Sequence, residues 1–303
     1  MALNEITDST INALFTDAMT NPAAREKVAA ATELYIRDKI RESAFCRKIL
    51  PPQPITREEC DRNEHNQSLK KIIDIETGAT AVSLNMNSQA NTRYITGDRF
   101  AINFHKVSSD EYTISEGDLM GYEMPITKII EKNCVKAIEE VEDNTFMAQM
   151  ENIVASTGKA LDIAMADPTI DGKKLVTLFN LLESGDKLET SVLLMSRATW
   201  NDWTGQGPGA FDSKSYDVLV GGYTEETIYN KRVIITNKDD LVKHNDIWAF
   251  AAPEFLGRFY TLNDVKFWTD VRAEYFHFKA WEHVGLGIGN TKGIAKISLV
   301  PQP

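Results

Sequence analysis

Residues 271–299, VRAEYFHFKAWEHVGLGIGNTKGIAKISL, decide the architecture. They read as one long strand, a Gly/Asn-marked turn and a short closing strand. Phe276, Phe278, Ala280, Glu282, Val284, Leu286 and Ile288 take the even positions, and His277, Lys279, Trp281 and His283 the odd ones. Strict alternation sets one apolar face against a core and leaves the other wetter. About thirteen residues at about 3.3 Å each reach about 43 Å, well beyond the usual five or six residues of a strand. Such a strand spans a flat, elongated module and seldom occurs in a compact enzyme core. The signal is architectural before it is chemical.

Working outward, Ile126, Ile129, Ile130, Cys134, Ala137, Ile138 and Val141 recur at three- and four-residue steps. Phe146, Met147, Met150, Ile153 and Val154 extend the stripe, Pro125 opens it and Gly158 supplies a C′ stop. Unbroken, 126–156 would be about 46 Å long. A kink is expected at Glu139, Glu140, Glu142, Asp143 and the following Asn144-Thr145. Consecutive carboxylates splay around a helix axis, so these acids are expected on a solvated face.

Residues 71–123 read as β. Val82, Leu84 and Met86 alternate, as do Phe100, Ile102 and Phe104, while MNSQANT (86–92) and Thr96-Gly97-Asp98 are turn signals. The expected element is an extended hairpin with its tip in 85–98. A lone two-stranded hairpin is marginal in water, so this one needs a partner surface.

The first fifty residues read as an arm. Asp8 and Ser9 cap a short helix through Met19, and Asn21-Pro22 start a second. Val28, Thr32, Ile36 and Ile40, with Leu34 and Phe45 nearby, give it an amphipathic face that Pro51, Pro52 and Pro54 terminate. Between 159 and 270 helices and strands mix. Residues 175–184 and 198–203 read as helical, 191–195 and 231–236 as strands, and 205–209 as a loop.

A chain of 303 residues with 43% hydrophobic and 25% charged content supports a well-buried core, with length enough for two lobes. Its net charge of −11 argues against an overall basic surface for gripping phosphates. Apolar runs are too short and too charged to span a membrane. The first twenty residues hold Glu5, Asp8 and Asp17 with no Lys or Arg, unlike a secretory signal. Cys46, Cys60 and Cys134 lack zinc spacing and read as neutral or buried thiols.

No catalytic residue, metal ligand or cofactor site is predicted. Gly285-x-Gly287-x-Gly289 lacks the helix and second strand of a dinucleotide fold and reads as room for a bend or a close neighbour. His277 and His283 lie about 20 Å apart on a strand, too far for one ion. HExxH, GxSxG and Walker patterns are absent from the sequence.

Arm, hairpin, long helix, mixed lobe and long C-terminal strand, in that order, resemble the major capsid proteins of tailed bacteriophages, whose Hong Kong-type fold is shared with encapsulins. The local likeness lies in Trp268-Thr269-Asp270-Val271-Arg272-Ala273-Glu274 running on to Gly293-Ile294-Ala295-Lys296-Ile297, in residues 192–200 and in residues 218–236. The resemblance implies an α+β phage capsid fold with an N-terminal arm over 1–50 and an extended hairpin loop over 80–110. A peripheral domain would comprise 51–79, 111–157 and 263–290 with its spine helix at 126–156, and an axial domain 158–262 and 291–303. It implies a non-enzymatic subunit that self-assembles as hexamers and pentamers of an icosahedral shell around double-stranded DNA. Portal, scaffolding and decoration proteins would be its partners, with assembly in the host cytoplasm and residence in the virion. No membrane or tight DNA binding is expected, the acidic balance suiting a wall that does not grip its genome. Expected intersubunit contacts are Leu34, Ile36 and Ile40 of the arm and Arg93, Tyr94, Phe100, Ile102 and Phe104 of the hairpin, each of which could instead pack within its own subunit. The alternatives are an encapsulin-like compartment or a soluble α+β enzyme with its site in 159–270.

Overall fold

A computed structural model describes residues 21–23, 44–63, 66–74, 83, 86, 89, 99–121, 126–165, 170–184, 188–205 and 227–301. In chain order these form α1 (Phe45–Ile49), β1 (Pro52–Pro54), β2 (Asp61–Asn63), β3 (Asn66–Asp74), β4 (Arg99–Asn103), β5 (His105–Ser108), β6 (Tyr112–Ser115) and α2 (Glu116–Gly121). The long α3 (Ile126–Thr157) follows, then β7 (Ala160–Met165), α4 (Gly172–Glu183), β8 (Thr190–Ser196), α5 (Arg197–Gly205), β9 (Thr227–Ile228), β10 (Lys231–Thr236) and β11 (Asp246–Ala251). The chain ends through α6 (Pro253–Leu256), β12 (Gly257–Arg272), β13 (Tyr275–Ile288) and β14 (Ile294–Pro301).

Two long antiparallel strands dominate. β12 pairs with β13 from Gly257–Ile288 to Arg272–Tyr275, and β1, β5 and β6 complete the sheet around them. The even residues of β13 face inward as the alternation requires: Phe276, Phe278, Ala280, Glu282 and Val284 are buried. One detail departs from the sequence reading. Val271 and Arg272 end β12, and Ala273-Glu274 is the turn of the hairpin, with Ala273 at φ 54°. The Glu116 amide donates to the Glu274 carbonyl at 2.9 Å, which fixes that turn against β6. β12 itself is hidden in the sequence. Its inward set, Phe259, Thr261, Val265, Phe267 and Thr269, keeps one parity, but the register shifts on either side of exposed Asn263 interrupt it.

α3 crosses the inner face of this sheet. It is continuous for 32 residues and ends at Gly158, whose φ of +67° is the left-handed stop that glycine makes cheaply. Through 139–145, where a kink is expected, the helix is continuous, and Glu142 and Asp143 lie inside the protein with partners rather than on a solvated face. Phe45, Phe146 and Phe250 meet in turn beneath it, with centroids 6.3 and 5.9 Å apart.

A six-stranded sheet of order β7-β14-β11-β8-β10-β9 forms the second lobe. Its β11 is buried throughout. One face shares the core under α3 through Leu194, Trp248, Phe250 and Ile294. The other face is covered by α4 and α5, with Leu175, Leu178, Trp200 and Trp203 packed on Leu193, Ile247 and Ile297. Asp171 caps α4 by accepting from the Lys174 amide at 2.9 Å. A third small sheet, β2-β3-β4, is the stem of a hairpin paired from Lys70–Asn103 to Asp74–Arg99.

Candidate functional site

The root of the arm is clamped inside the molecule by charge. α1 buries Phe45, Cys46 and Ile49, and on the same short helix Arg47 is only 6% exposed. Its Nε and Nη2 donate to Glu142 Oε2 and Oε1 at 2.8 and 2.6 Å, a forked pair. The same Nη2 donates to Glu282 Oε1 at 2.6 Å. At the next residue of α3, Asp143 Oδ1 accepts from the Cys46 amide at 3.0 Å and Oδ2 from Lys238 Nζ at 2.8 Å. Arg47 also lies 5.5 Å from the Phe259 ring centroid. Arm root, long helix, long hairpin and second lobe therefore meet at one buried ionic cluster.

Two buried carboxylates around one guanidinium cannot both ionise cheaply. Burial raises the Glu282 carboxyl well above the usual range, and the hydrogen bond and charge of Glu142 push it further up than Arg47 can pull it down. Burial also works against an ionised Glu142, yet hydrogen bonds from Glu282 and Arg47, then the Arg47 charge, hold it below the usual range. The geometry agrees, since Glu142 receives the fork and Glu282 a single bond. These opposite directions favour the charge on Glu142 and the proton on Glu282. Burial, followed by the Glu142 and Asp143 charges, keeps the Cys46 thiol protonated.

On the opposite face of β13 the hairpin stem rests on glycines. A Cβ at Gly287 would overlap Ile102 Cγ1 and Cδ1, and one at Gly285 or Gly289 would come to 3.0 Å from Phe104 or Phe100. The glycine run is thus the seat that lets β4 lie flat on the long strand. Gly287→Ala is expected to cost about 1–3 kcal/mol by overpacking. Adding Ile102→Ala, which vacates the seat, should cost less than the sum of the two single changes in urea denaturation. Strict additivity would mean the two positions do not touch.

No protein-family model and no curated protein matches the sequence. Solved structures do. A structure of Microbacterium phage Oxtober96 superposes with a TM-score of 0.56 at 11% identity, over 86% of this chain and 91% of that one. The Cyanophage Pam1 capsid asymmetric unit gives 0.54 at 9% identity, covering 82% and 88%. A virus-like particle from Pyrococcus furiosus gives 0.51 at 14%, covering 88% and 98%. The chain has the phage major-capsid fold.

Within this capsid fold the expected contact residues divide. Ile102 is buried within its own subunit on the Gly285–Gly287 seat. Phe100 and Phe104 are half-buried over the same glycines. Leu34, Ile36, Ile40, Arg93 and Tyr94 lie outside the described residues, as do Val82 and Leu84, while Met86 is fully exposed in a turn. The cluster of Arg47, Glu142 and Glu282 is missed by sequence reasoning. Its one sequence signal is Glu282 standing on the apolar face of an otherwise strict alternation. In 159–270 an open cleft of about 450 Å³ is lined by Leu188, Thr190, Lys231 and Phe255, but its Lys231 and Glu189 are paired with each other. Among the described residues no group of three His, Cys, Asp or Glu side chains is arranged to hold a metal, and no helix is long and apolar enough to cross a membrane.

Proposed function

We propose that this chain is the major shell subunit of a tailed phage, a non-enzymatic protein that self-assembles as hexamers and pentamers around double-stranded DNA. The observation that carries the reading is a capsid fold matched over most of the chain and of its counterparts, with the hairpin stem docked on the long strand. The sheet of β12 and β13 with α3 serves as the peripheral domain and the six-stranded sheet as the axial domain. The hairpin beyond Asp74 and the arm before Ala44 supply contacts to neighbours, because a closed shell offers each copy a partner on every side. Portal, scaffolding and decoration proteins complete the particle, which assembles in the host cytoplasm.

Negative-stain microscopy and sedimentation of the purified chain test this. Closed shells, or rings of five or six, are expected, and deletion of 85–98 should leave a folded subunit that no longer closes. Wild-type particles from that deletion would remove the hairpin's role, and a persistent monomer under all assembly conditions would remove the shell reading. The likeness to the Pyrococcus furiosus particle supports a second reading, a compartment. An enzyme co-purifying inside the shells in place of DNA would select it.

A further inference from the structure

The outward face of the long hairpin gathers cations and rings beside the glycine seat. Residues paired directly across antiparallel strands point the same way, so Lys266 stands beside Trp281, Trp268 beside Lys279 and Lys106 beside His283. Lys106 Nζ sits 4.9 Å from the Trp281 ring centroid. Lys106 and Lys266 are exposed, and Trp268, Lys279, Trp281 and His283 half-exposed. The acids further along this face are engaged, Asp270 with Arg272 and Glu111 with His277. Among the described side chains no carboxylate pairs with Lys106, Lys266 or Lys279. The Nδ1 of His283 is buried with no hydrogen-bond partner. Burial, then the charges of Lys106 and Lys266, lowers the His283 pKa. In a chain of net charge −11, this is a local cationic field over two indoles.

The occupant must be anionic and partly apolar. Residues 1–20, MALNEITDSTINALFTDAMT, hold Glu5, Asp8 and Asp17 with no Lys or Arg, interleaved with Leu3, Ile6, Ile11, Leu14 and Phe15. A second copy is their natural source. The root of a subunit's own arm is clamped through Arg47 to Glu282, on the inner face of the very strand whose outer face carries the patch. We propose that the Lys106–Lys266–Lys279 face, with Trp268 and Trp281, receives residues 1–20 of a neighbouring subunit. This rests on the shell reading and names the surface it uses.

The test uses the full-length chain. Lys106→Glu, Lys266→Glu and Lys279→Glu combined should keep the wild-type melting temperature but lower particle yield at least about tenfold, the effect of about 1.4 kcal/mol per contact. Glu5→Lys, Asp8→Lys and Asp17→Lys combined should do the same, and joining the two sets should restore yield to within about threefold. Unchanged yield from the first set, or no restoration in the joined set, overturns the proposal. So does a first set whose only defect is lost retention of duplex DNA, which would make the face a nucleic-acid surface. If the wild type forms no particles, the shell reading fails, yet a synthetic peptide of residues 1–20 still decides this one. Added to the wild-type chain, it should raise the His283 pKa seen by NMR, in a manner weakened by salt and abolished by the lysine reversals. No movement of His283 overturns it.

Discussion

Replacing Arg47 by methionine is expected to lower the unfolding free energy of the unassembled subunit by about 3–5 kcal/mol near neutral pH, the cost of breaking a buried ion pair from one side. The guanidinium donates three bonds of 2.6–2.8 Å to two carboxylates that are 4% and 1% exposed. Methionine fills a similar volume, so packing on Phe259 is largely kept and the loss is electrostatic. Without the cation, Glu142 loses the forked pair that keeps it ionised, and it must take up a proton or stay charged in an apolar core. The deficit should therefore shrink as pH falls and grow as pH rises, in urea titrations from pH 5 to 8. Combining Arg47→Met with Glu142→Leu and Glu282→Leu should recover most of the loss, since a buried ionic cluster often breaks even against apolar groups of its shape. A single Arg47→Met change within about 1 kcal/mol of wild type would show that water reaches the cluster and screens it.

The same cluster marks the boundary of what the sequence reveals. Periodicity reports β13 faithfully because one face of a strand repeats every second residue, and it reports α3 for the corresponding helical reason. Gly158 and the Lys231–Thr236 strand are legible too, each being a local decision of the backbone. The acids of α3 are not. Glu140 is exposed as a helix acid should be, but Glu142 and Asp143 are buried because Arg47 and Lys238 arrive from 95 residues away on either side. Nothing local distinguishes an acid that will meet such a partner from one that will meet water. β12 escapes for another reason: its inward set, Phe259, Thr261, Val265, Phe267 and Thr269, keeps one parity but includes two threonines and is interrupted at exposed Asn263, where the register shifts, so no unbroken apolar alternation marks it. The glycine run carries the right signal, a close neighbour, and the neighbour is the subunit's own Ile102.

Glu282→Gln should leave stability nearly unchanged at acid pH and raise it relative to wild type as pH increases, whereas Glu142→Gln with Glu282→Gln should cost about 3–5 kcal/mol. Glu282 holds its proton in the native state at pH values where the unfolded chain has released it. Its contribution is therefore greatest below the ordinary glutamate range and is lost as pH climbs from there toward the raised native value. Glutamine is a permanent copy of that protonated form. Its amide donates toward Glu142 as the carboxylic acid does, and its carbonyl accepts from Arg47 Nη2. Glu142 has the opposite sign: its lowered value contributes stability above the ordinary range, lost as pH falls through the native one. The single change should thus remove the decline toward high pH and keep the decline toward low pH. The double change strips Arg47 of every buried anion, and no proton movement can neutralise a guanidinium. Equal losses for single and double variants would mean that both carboxylates are ionised and the proton is not shared. A neutral double variant would mean that Arg47 turns outward to water, freeing the arm it now anchors.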